Sequence, residues 1–178
     1  MIDNSYIRLN RIIALLILIV TFIVYFDTMA PTVSYWDCGE FIAVSHTLGV
    51  PHPPGSPFFL LMGRIFSMLP FNEDIAFRVN VISPLVSALA VMLLYLSTVK
   101  VITHWRGRVN NITDVMIVFG GAAVGALTFA FTDSHWFNAV EAEVYAFSTF
   151  FTAIVVWLIL VWNEKADERG NERYILLI

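Results

Sequence analysis

The residues of this chain that are best suited to chemistry lie together in one short polar stretch. Asp37 and Glu40 occur in the sequence Tyr35-Trp-Asp-Cys-Gly-Glu-Phe41, and His52 follows in a His-Pro-Pro-Gly turn. Carboxylates three residues apart project from the same side of a helix, and Gly39 between them would let a substrate approach the backbone. This spacing favours a catalytic site in which a carboxylate acts as general base.

The same residues also have an ordinary structural explanation. Asp-x-x-Glu is a variant of the capping box, in which Asp37 accepts backbone N–H groups at the start of a helix and Glu40 reaches back. Ser34 could serve as the cap instead. A histidine in a proline-rich turn, such as His52, is equally typical of a surface residue. Residue types alone do not separate catalysis from capping, so both interpretations stay open.

The composition places this polar stretch in a membrane protein. The chain of 178 residues is 58% hydrophobic and only 13% charged, and its apolar residues come in long blocks, as in helices that cross a bilayer. The single cysteine, Cys38, excludes an intrachain disulfide. We therefore predict an all-α polytopic membrane protein with four spans. The predicted spans cover residues 12–26, 81–99, 115–131 and 144–162.

The first predicted span has a second interpretation. Arg8 and Arg11, an apolar run and the small residue Ala30 are also typical of a secretory signal peptide. Pro31 directly after Ala30 argues against cleavage there, but the alternative stays open. The segment that follows would face the outer side in either case.

The distribution of Lys and Arg predicts how the chain is oriented. Basic residues concentrate in the cytoplasmic segments of membrane proteins, and one set of segments here holds all of them except Arg64 and Arg78. We therefore expect a cytoplasmic N-terminus and a segment 27–76 on the outer or lumenal face. The residues assigned to the inner side are Arg8, Arg11, Lys100, Arg106, Arg108, Lys165, Arg169 and Arg173.

The outer segment 27–76 is expected to contain two short helices. The first begins near Asp37 and runs to Thr47, and the second runs from Phe58 to Leu69. The second helix is apolar apart from Arg64 and is too short to cross a bilayer. We expect it to lie in the membrane interface.

A second outer segment, residues 132–143, contains His135, Glu141 and Glu143. If the two outer segments converge, these side chains join His52 and the earlier carboxylates in an acidic cleft. Glu143 also has a structural explanation, because a carboxylate at a helix start is favoured by unpaired N–H groups. Oxygen and imidazole ligands of this kind can hold a divalent cation, but their spacing matches no metal motif and we assign no metal site.

Arg64 and Arg78 are the only strong cations expected on the outer face, which is otherwise rich in carboxylates. A phosphate-bearing substrate would need such cations. The structural alternative is snorkelling, or pairing with Glu73 or Asp74, and it fits Arg78 better than Arg64.

The last residues indicate that the chain continues. Tyr174-Ile-Leu-Leu-Ile178 follows a charged stretch and is typical of the first turn of a fifth span. Five apolar residues are too few to cross a bilayer, so such a span would need further residues. We therefore expect residues 1–178 to form a single transmembrane domain, the N-terminal portion of a longer protein.

Two sequence blocks resemble a known family. Trp36-Asp-Cys-Gly-Glu-Phe-Ile42 and Ser45-His-Thr-Leu-Gly-Val-Pro-His-Pro-Pro-Gly-Ser-Pro57 are similar to the hallmark of multi-pass proteins catalogued as a domain of unknown function, whose animal relatives are protein O-mannosyltransferases. Arg78-Val-Asn80 and Ala142-Glu-Val-Tyr145 resemble later blocks of that family. Cys38 replaces the more usual serine, a near-isosteric change.

This resemblance implies a glycosyltransferase with a GT-C-like helical bundle, acting on the outer or lumenal side. It implies that Asp37 is the base, that Glu40 is its neighbour, and that His52 and Glu143 line the site. The implied donor is a polyprenyl-phosphate-linked sugar, with mannose as one candidate, in contact with membrane lipid. The implied acceptor is a hydroxyl of a protein or glycan. No nucleic-acid partner is expected, and the sugar, the acceptor and the oligomeric state are not indicated by the sequence.

Two other classes of function stay open. A transporter or channel subunit could use the acidic outer face to gather cations, but it would need ionisable residues inside its spans, and the four predicted spans have none. A non-catalytic assembly subunit could use the small residues Gly121 and Gly125, which allow close helix approach.

Overall fold

The chain is an all-α polytopic membrane protein. Its structure, a computed structural model, describes residues 4–53, 55–107, 109–166 and 170–177, and these residues contain no β-strand. Arg108 and Arg169, which the orientation argument assigned to the inner side, lie outside the described residues. The GT-C-like arrangement of the bundle stays a prediction.

Within the described residues, four helical segments are long and apolar enough to cross a membrane, in agreement with the four predicted spans and their order. Each extends beyond its predicted bounds at one end or both, because a helix continues into the interface after the hydrocarbon region ends. The segments are α1, Asn4–Thr28; α5, Ile82–Arg106; a composite of α6, Ile112–Val115, a π-helical turn, Met116–Gly120, and α7, Gly121–Ala130; and α9, Tyr145–Glu164.

Helix α5 is the centre of the bundle, and α1, α7 and α9 pack against it. Helix α1 contributes the buried ring of Tyr25, whose hydroxyl donates to the carbonyl of Ala130 at 2.8 Å. Helix α7 packs through its alanines, including the fully buried Ala122. Gly121 and Gly125 lie on its open side, where a methyl group on either residue would meet no other element of the described chain within 4 Å.

The second span is preceded by a short helix, α4, Ile75–Asn80, that is separated from α5 only by Val81. Pro84 explains the break. Its nitrogen cannot donate to the carbonyl of Asn80, and its ring crowds that carbonyl. The break lies just where the polar segment joins the bundle, and Val81 keeps a right-handed helical conformation there.

The two helices predicted between the first and second spans are present. They are α2, Cys38–Thr47, and α3, Pro57–Met68, and Leu48 ends α2 in the left-handed conformation with φ 54°. Pro57 occupies the first helical position of α3, where its missing N–H costs nothing. Helices α2, α3 and α4 pack on one another as a small layer at one end of the bundle.

Two further short helices were not predicted. Helix α8, Asp133–Ala139, lies between the third and fourth spans, and a 3₁₀ helix covers Asn171–Leu177. The second of these includes most of the residues assigned to the first turn of a fifth span. Its tighter winding is common in short helical pieces.

Helices α2 and α3 cross so closely that α3 needs a glycine at the crossing. A Cβ on the buried Gly63 would lie 2.7 Å from Cβ of Ser45. We expect Gly63→Ala to lower the free energy of unfolding by about 1–3 kcal/mol, because one helix must move away from the other. Thermal unfolding in detergent measures this loss.

Gly125→Ala is the matched control, since it makes the same change within a helix at an open position. It should be neutral or slightly stabilising, because alanine favours a helix more than glycine does. Equal Tm values for the two variants would show that the α2–α3 crossing tolerates a methyl group.

Candidate functional site

The structure brings Asp37, Glu40 and His52 together at the start of α2. The carboxylate of Glu40 accepts two hydrogen bonds from His52, one from the backbone N–H at 2.8 Å and one from Nδ1 at 2.7 Å. The other ring nitrogen, Nε2, lies 3.8 Å from Oδ2 of Asp37. The imidazole therefore lies between the two carboxylates, as the sequence predicted for a shared site.

The capping-box explanation of the two carboxylates is wrong. Asp37 does stand at the cap position of α2, but its side chain accepts no capping hydrogen bond from the described part of the chain. Glu40 turns to His52 instead of reaching back. The proline-rich turn makes this possible, because it folds His52 back over the first turn of α2. Asp37 is left exposed, with its carboxylate available to a substrate.

The charges in this cluster stabilise one another. The hydrogen bond from His52 lowers the pKa of Glu40, and the same bond raises the pKa of His52. Glu40 therefore stays ionised and hydrogen-bonded to His52. Of the two carboxylates, Asp37 is the one free to accept a proton from a substrate.

Two buried glutamates hold the segment that carries Asp37. The hydroxyl of Ser34 donates to Glu141, and Sγ of Cys38 lies 3.6 Å from Oε1 of Glu143. Glu141 and Glu143 are only 4% and 7% exposed. Burial raises the pKa of Glu143, and burial together with both glutamates raises the pKa of the Cys38 thiol, which therefore stays protonated and can donate.

Asn80 supports the same segment from the opposite side. Its buried amide donates to the carbonyls of Ala30 and Thr32 at 2.8 and 2.9 Å. The N–H of Ala30 in turn donates to the carbonyl of Val140 at 2.8 Å. Residues 30–38 are therefore fixed between the start of the second span and the turn before the fourth. The sequence analysis assigned no role to Asn80, although a polar residue beside a long apolar run is an indication of one.

The predicted convergence of the two outer segments holds for Glu141 and Glu143 but not for His135. The His135 ring packs on Phe129 at 4.4 Å and on Tyr25 at 6.0 Å between ring centroids. Burial lowers its pKa to about 4. His135 is thus a neutral core residue of α8, because the unpredicted helix turns it inward. Glu143 lies behind Cys38 instead of lining an open cleft.

Both arginines that were predicted to bind phosphate contact helix ends. Arg64 donates to the carbonyl of His46 near the end of α2. Arg78 donates to the carbonyls of Ser67 and Leu69 at 2.7 and 3.1 Å, at the end of α3. Unpaired carbonyls at helix C-termini attract cations. Arg78 reaches the backbone carbonyl of Glu73 and makes no salt bridge within 4 Å to a carboxylate of the described residues, although its charge still acts on Asp74 at longer range.

The Asp37, Glu40 and His52 cluster has the donor types of a divalent-cation site. Its ligand atoms lie within 4.8 Å of one another. All three side chains are exposed, and the hydrogen bonds to His52 already satisfy Glu40. We assign no metal to it.

Comparison with known proteins gives the family of this fold and site. The chain is 32% identical over 155 residues to protein O-mannosyl-transferase tmem260 of Dictyostelium discoideum, which covers 85% of this chain and 17% of that protein. It is 29% identical over 138 residues to protein O-mannosyl-transferase TMEM260 of Mus musculus, which covers 76% of this chain and 18% of that protein. The chain thus spans less than a fifth of either relative. No solved structure matches it.

A sequence-family profile matches residues 37–178, beginning at Asp37. The matched region includes α2, the His52 turn and all of the last three spans. It covers well over half of the chain. The chain therefore belongs to the family of the protein O-mannosyl-transferase TMEM260 N-terminal domain.

Proposed function

We propose that this chain forms part of a membrane glycosyltransferase that moves mannose from a polyprenyl-phosphate donor to a Ser or Thr hydroxyl of a protein. The reaction takes place on the outer or lumenal face, with Asp37 as the general base. The names of the two relatives support the transferase and the sugar. The observation that carries the assignment is the exposed Asp37 carboxylate beside a His52 already bound to Glu40.

The reaction involves the transfer of one proton to Asp37 and the departure of one electron pair with the phosphate. The acceptor hydroxyl gives its proton to Asp37 as its oxygen forms a bond to the anomeric carbon. The bond between that carbon and the lipid phosphate breaks, and its electron pair goes to the phosphate oxygen. Asp37 afterwards loses its proton to water, and polyprenyl phosphate is released.

Arg64 is the better of the two arginines for the departing phosphate. Arg78 uses both of its terminal nitrogens on carbonyls, and its Nε is buried without a partner among the described residues. Arg64 uses one terminal nitrogen on His46, near the end of α2, and is partly exposed on α3. Stabilising charge on a leaving phosphate is a large contribution to catalysis.

A series of phenylalanine rings supports a lipid-linked donor. The ring of Phe41 lies 5.8 Å from that of His52, and contacts between rings then continue outward through α3 and α9. At the outer end, Phe58 and Phe151 are 48% and 44% exposed. A prenyl chain could pack on these two exposed rings, while the inner rings are buried in the core. The rings, in order of contact, are Phe41, Phe59, Phe147, Phe58 and Phe151.

The transporter alternative is weaker on the same structure. Ionisable residues in the spans that the structure describes lie near their ends, as with Arg11, Lys100 and Glu164. An ion or substrate path across the membrane requires such residues near the middle.

Donor choice and orientation test the proposal. The whole protein in nanodiscs should transfer mannose to a Ser/Thr peptide from polyprenyl-phosphate mannose and not from a soluble nucleotide sugar. Because Cys38 is fully buried, orientation is best probed with Tyr35→Cys in a Cys38→Ser background. Tyr35 is 84% exposed, and a membrane-impermeant maleimide should label that cysteine from the outer or lumenal side.

Trp105→Cys in the same background is the matched control, since Trp105 is 91% exposed at the far end of α5. It should be labelled only from the cytosol. Labelling of the two cysteines from the reversed sides, or transfer from the nucleotide sugar alone, would contradict the proposed function.

A further inference from the structure

Two large aromatic side chains directly precede Asp37 and are almost fully exposed. Tyr35 and Trp36 are 84% and 85% exposed. Exposed aromatic rings of this size beside a catalytic group are typical of binding surfaces, because a partner that covers them gains a large apolar contact. Their position means that any group reaching Asp37 from this side passes over them.

The backbone under these rings is held in a strained conformation. Trp36 has φ 59°, in the left-handed region that bulky residues rarely adopt. The segment is fixed on both sides, since Ser34 donates to the buried Glu141 and Cys38 to the buried Glu143. Strain of this kind persists only where the surroundings impose it, and it clusters at functional sites.

We propose that Tyr35 and Trp36 form the acceptor-binding surface, on which a Ser- or Thr-containing polypeptide segment lies with its hydroxyl directed at Asp37. This inference rests on the proposed function. The series of phenylalanine rings leads away from His52 through α3 and α9, the side that the proposed function gives to the donor lipid. The acceptor then takes the remaining approach, over the two exposed rings.

The chemistry of the rings fits a polypeptide. The indole and phenol faces pack against aliphatic and backbone groups, while the indole N–H and the phenol hydroxyl can bond peptide carbonyls. Trp and Tyr also occur as anchors at the membrane interface. An interfacial anchor, however, needs no fixed backbone, whereas the two buried glutamates hold Trp36 in one strained position.

The test is a kinetic comparison of Trp36 variants in the whole protein. Trp36→Ala should raise the KM for an acceptor peptide about tenfold and leave the KM for the lipid donor within about twofold. Trp36→Phe should retain most of the affinity, because it keeps a ring. Trp36→Gly separates recognition from folding: it relieves the left-handed φ and should raise Tm, yet its acceptor KM should rise as in the alanine variant.

Trp105→Ala is the matched control. It removes an equally exposed indole near the C-terminal end of α5 and should change neither the acceptor KM nor the donor KM. An unchanged acceptor KM in Trp36→Ala would overturn the proposal. A rise in the donor KM alone in Trp36→Ala would also overturn it, because it would place the rings at the lipid. A lower Tm of Trp36→Ala with a normal acceptor KM would overturn it as well, because it would show that another part of the protein covers the rings.

Peptide binding without donor separates this inference from the proposed function. In an Asp37→Asn background, calorimetry should still show about tenfold weaker peptide binding when Trp36 is replaced by alanine. If Asp37→Asn keeps full activity but Trp36 still controls peptide binding, the mechanism fails and the acceptor surface stands. If mannose transfer is lost in Asp37→Asn but peptide affinity is unchanged by Trp36→Ala, the proposed acceptor surface is wrong and the mechanism is retained.

Discussion

Replacing Asp37 by asparagine is expected to lower kcat for mannose transfer about a thousandfold. The amide has the shape of the carboxylate but cannot accept the proton of the attacking hydroxyl. Because Asp37 makes no side-chain capping bond to the described residues, α2 should not lose stability with the change. Single-turnover transfer from the lipid-linked donor measures the loss, and the Tm in detergent should match that of the unchanged protein.

Glu40→Gln is the matched control for the choice of base. Glu40 accepts from both the backbone N–H and Nδ1 of His52. Glutamine keeps one acceptor oxygen, so His52 should remain roughly in place and kcat should fall only about tenfold. A larger loss in Glu40→Gln than in Asp37→Asn would make Glu40 the base, and full activity in Asp37→Asn would remove the mechanism.

The local parts of this site could be predicted from the sequence because they depend on neighbours in the chain. Carboxylates three residues apart share a helix face, although the folding of the proline-rich segment back over the first turn of α2 was not predicted. Pro57 fixed the start of α3 for a similar reason, since its missing N–H suits the first helical position. The spans could be predicted equally well, because their length and composition alone determine that they enter a bilayer.

The supports of the site could not be predicted because they join distant parts of the chain. Ser34 and Glu141 are 107 residues apart, and Cys38 and Glu143 are 105 residues apart. No local pattern distinguishes a glutamate that caps its own helix from one that holds another segment. The same limit explains His135, whose inward direction is set by α8 and its packing on Phe129.

The two arginines show how a correct residue type can receive the wrong partner. A scarce cation on an acidic face was predicted to bind phosphate or a carboxylate. In the structure, Arg78 and Arg64 bond to carbonyls at the ends of α3 and α2. Short helices expose several unpaired carbonyls each, and these compete for any nearby guanidinium. The number of helix ends in a segment therefore affects how many of its cations remain free for a ligand.

Asn80→Asp is expected to have the second-largest effect, although Asn80 is not placed to touch a substrate. Its amide makes the two bonds that hold the carbonyls of Ala30 and Thr32, and it is fully buried. An ionised aspartate cannot donate, and it would place a buried negative charge against two carbonyl oxygens. We expect the free energy of unfolding to fall by about 3 kcal/mol.

The loss should extend to activity, because residues 30–38 carry Asp37 and would keep only the support from Glu141, Glu143 and the carbonyl of Val140. Thermal unfolding and mannose transfer measure the two effects on the same preparation. At acidic pH the aspartate becomes protonated and can donate one bond, so the difference in Tm from the unchanged protein should narrow. A loss of stability that does not become smaller at acidic pH would contradict this explanation, in which the ionised carboxylate and the missing donor cause the loss.

Asn138→Asp is the matched control for Asn80→Asp. The Asn138 amide also donates to a backbone carbonyl, that of Ser134 at 2.7 Å, but it does so at the surface of α8, where water can replace the bond. Its effect on the free energy of unfolding should stay within about 0.5 kcal/mol. If the two aspartate variants lose the same free energy of unfolding, the burial of Asn80 does not determine the loss. The proposed fixation of Asp37 from the second span would then be wrong, and the two glutamates and the carbonyl of Val140 would remain to position the base.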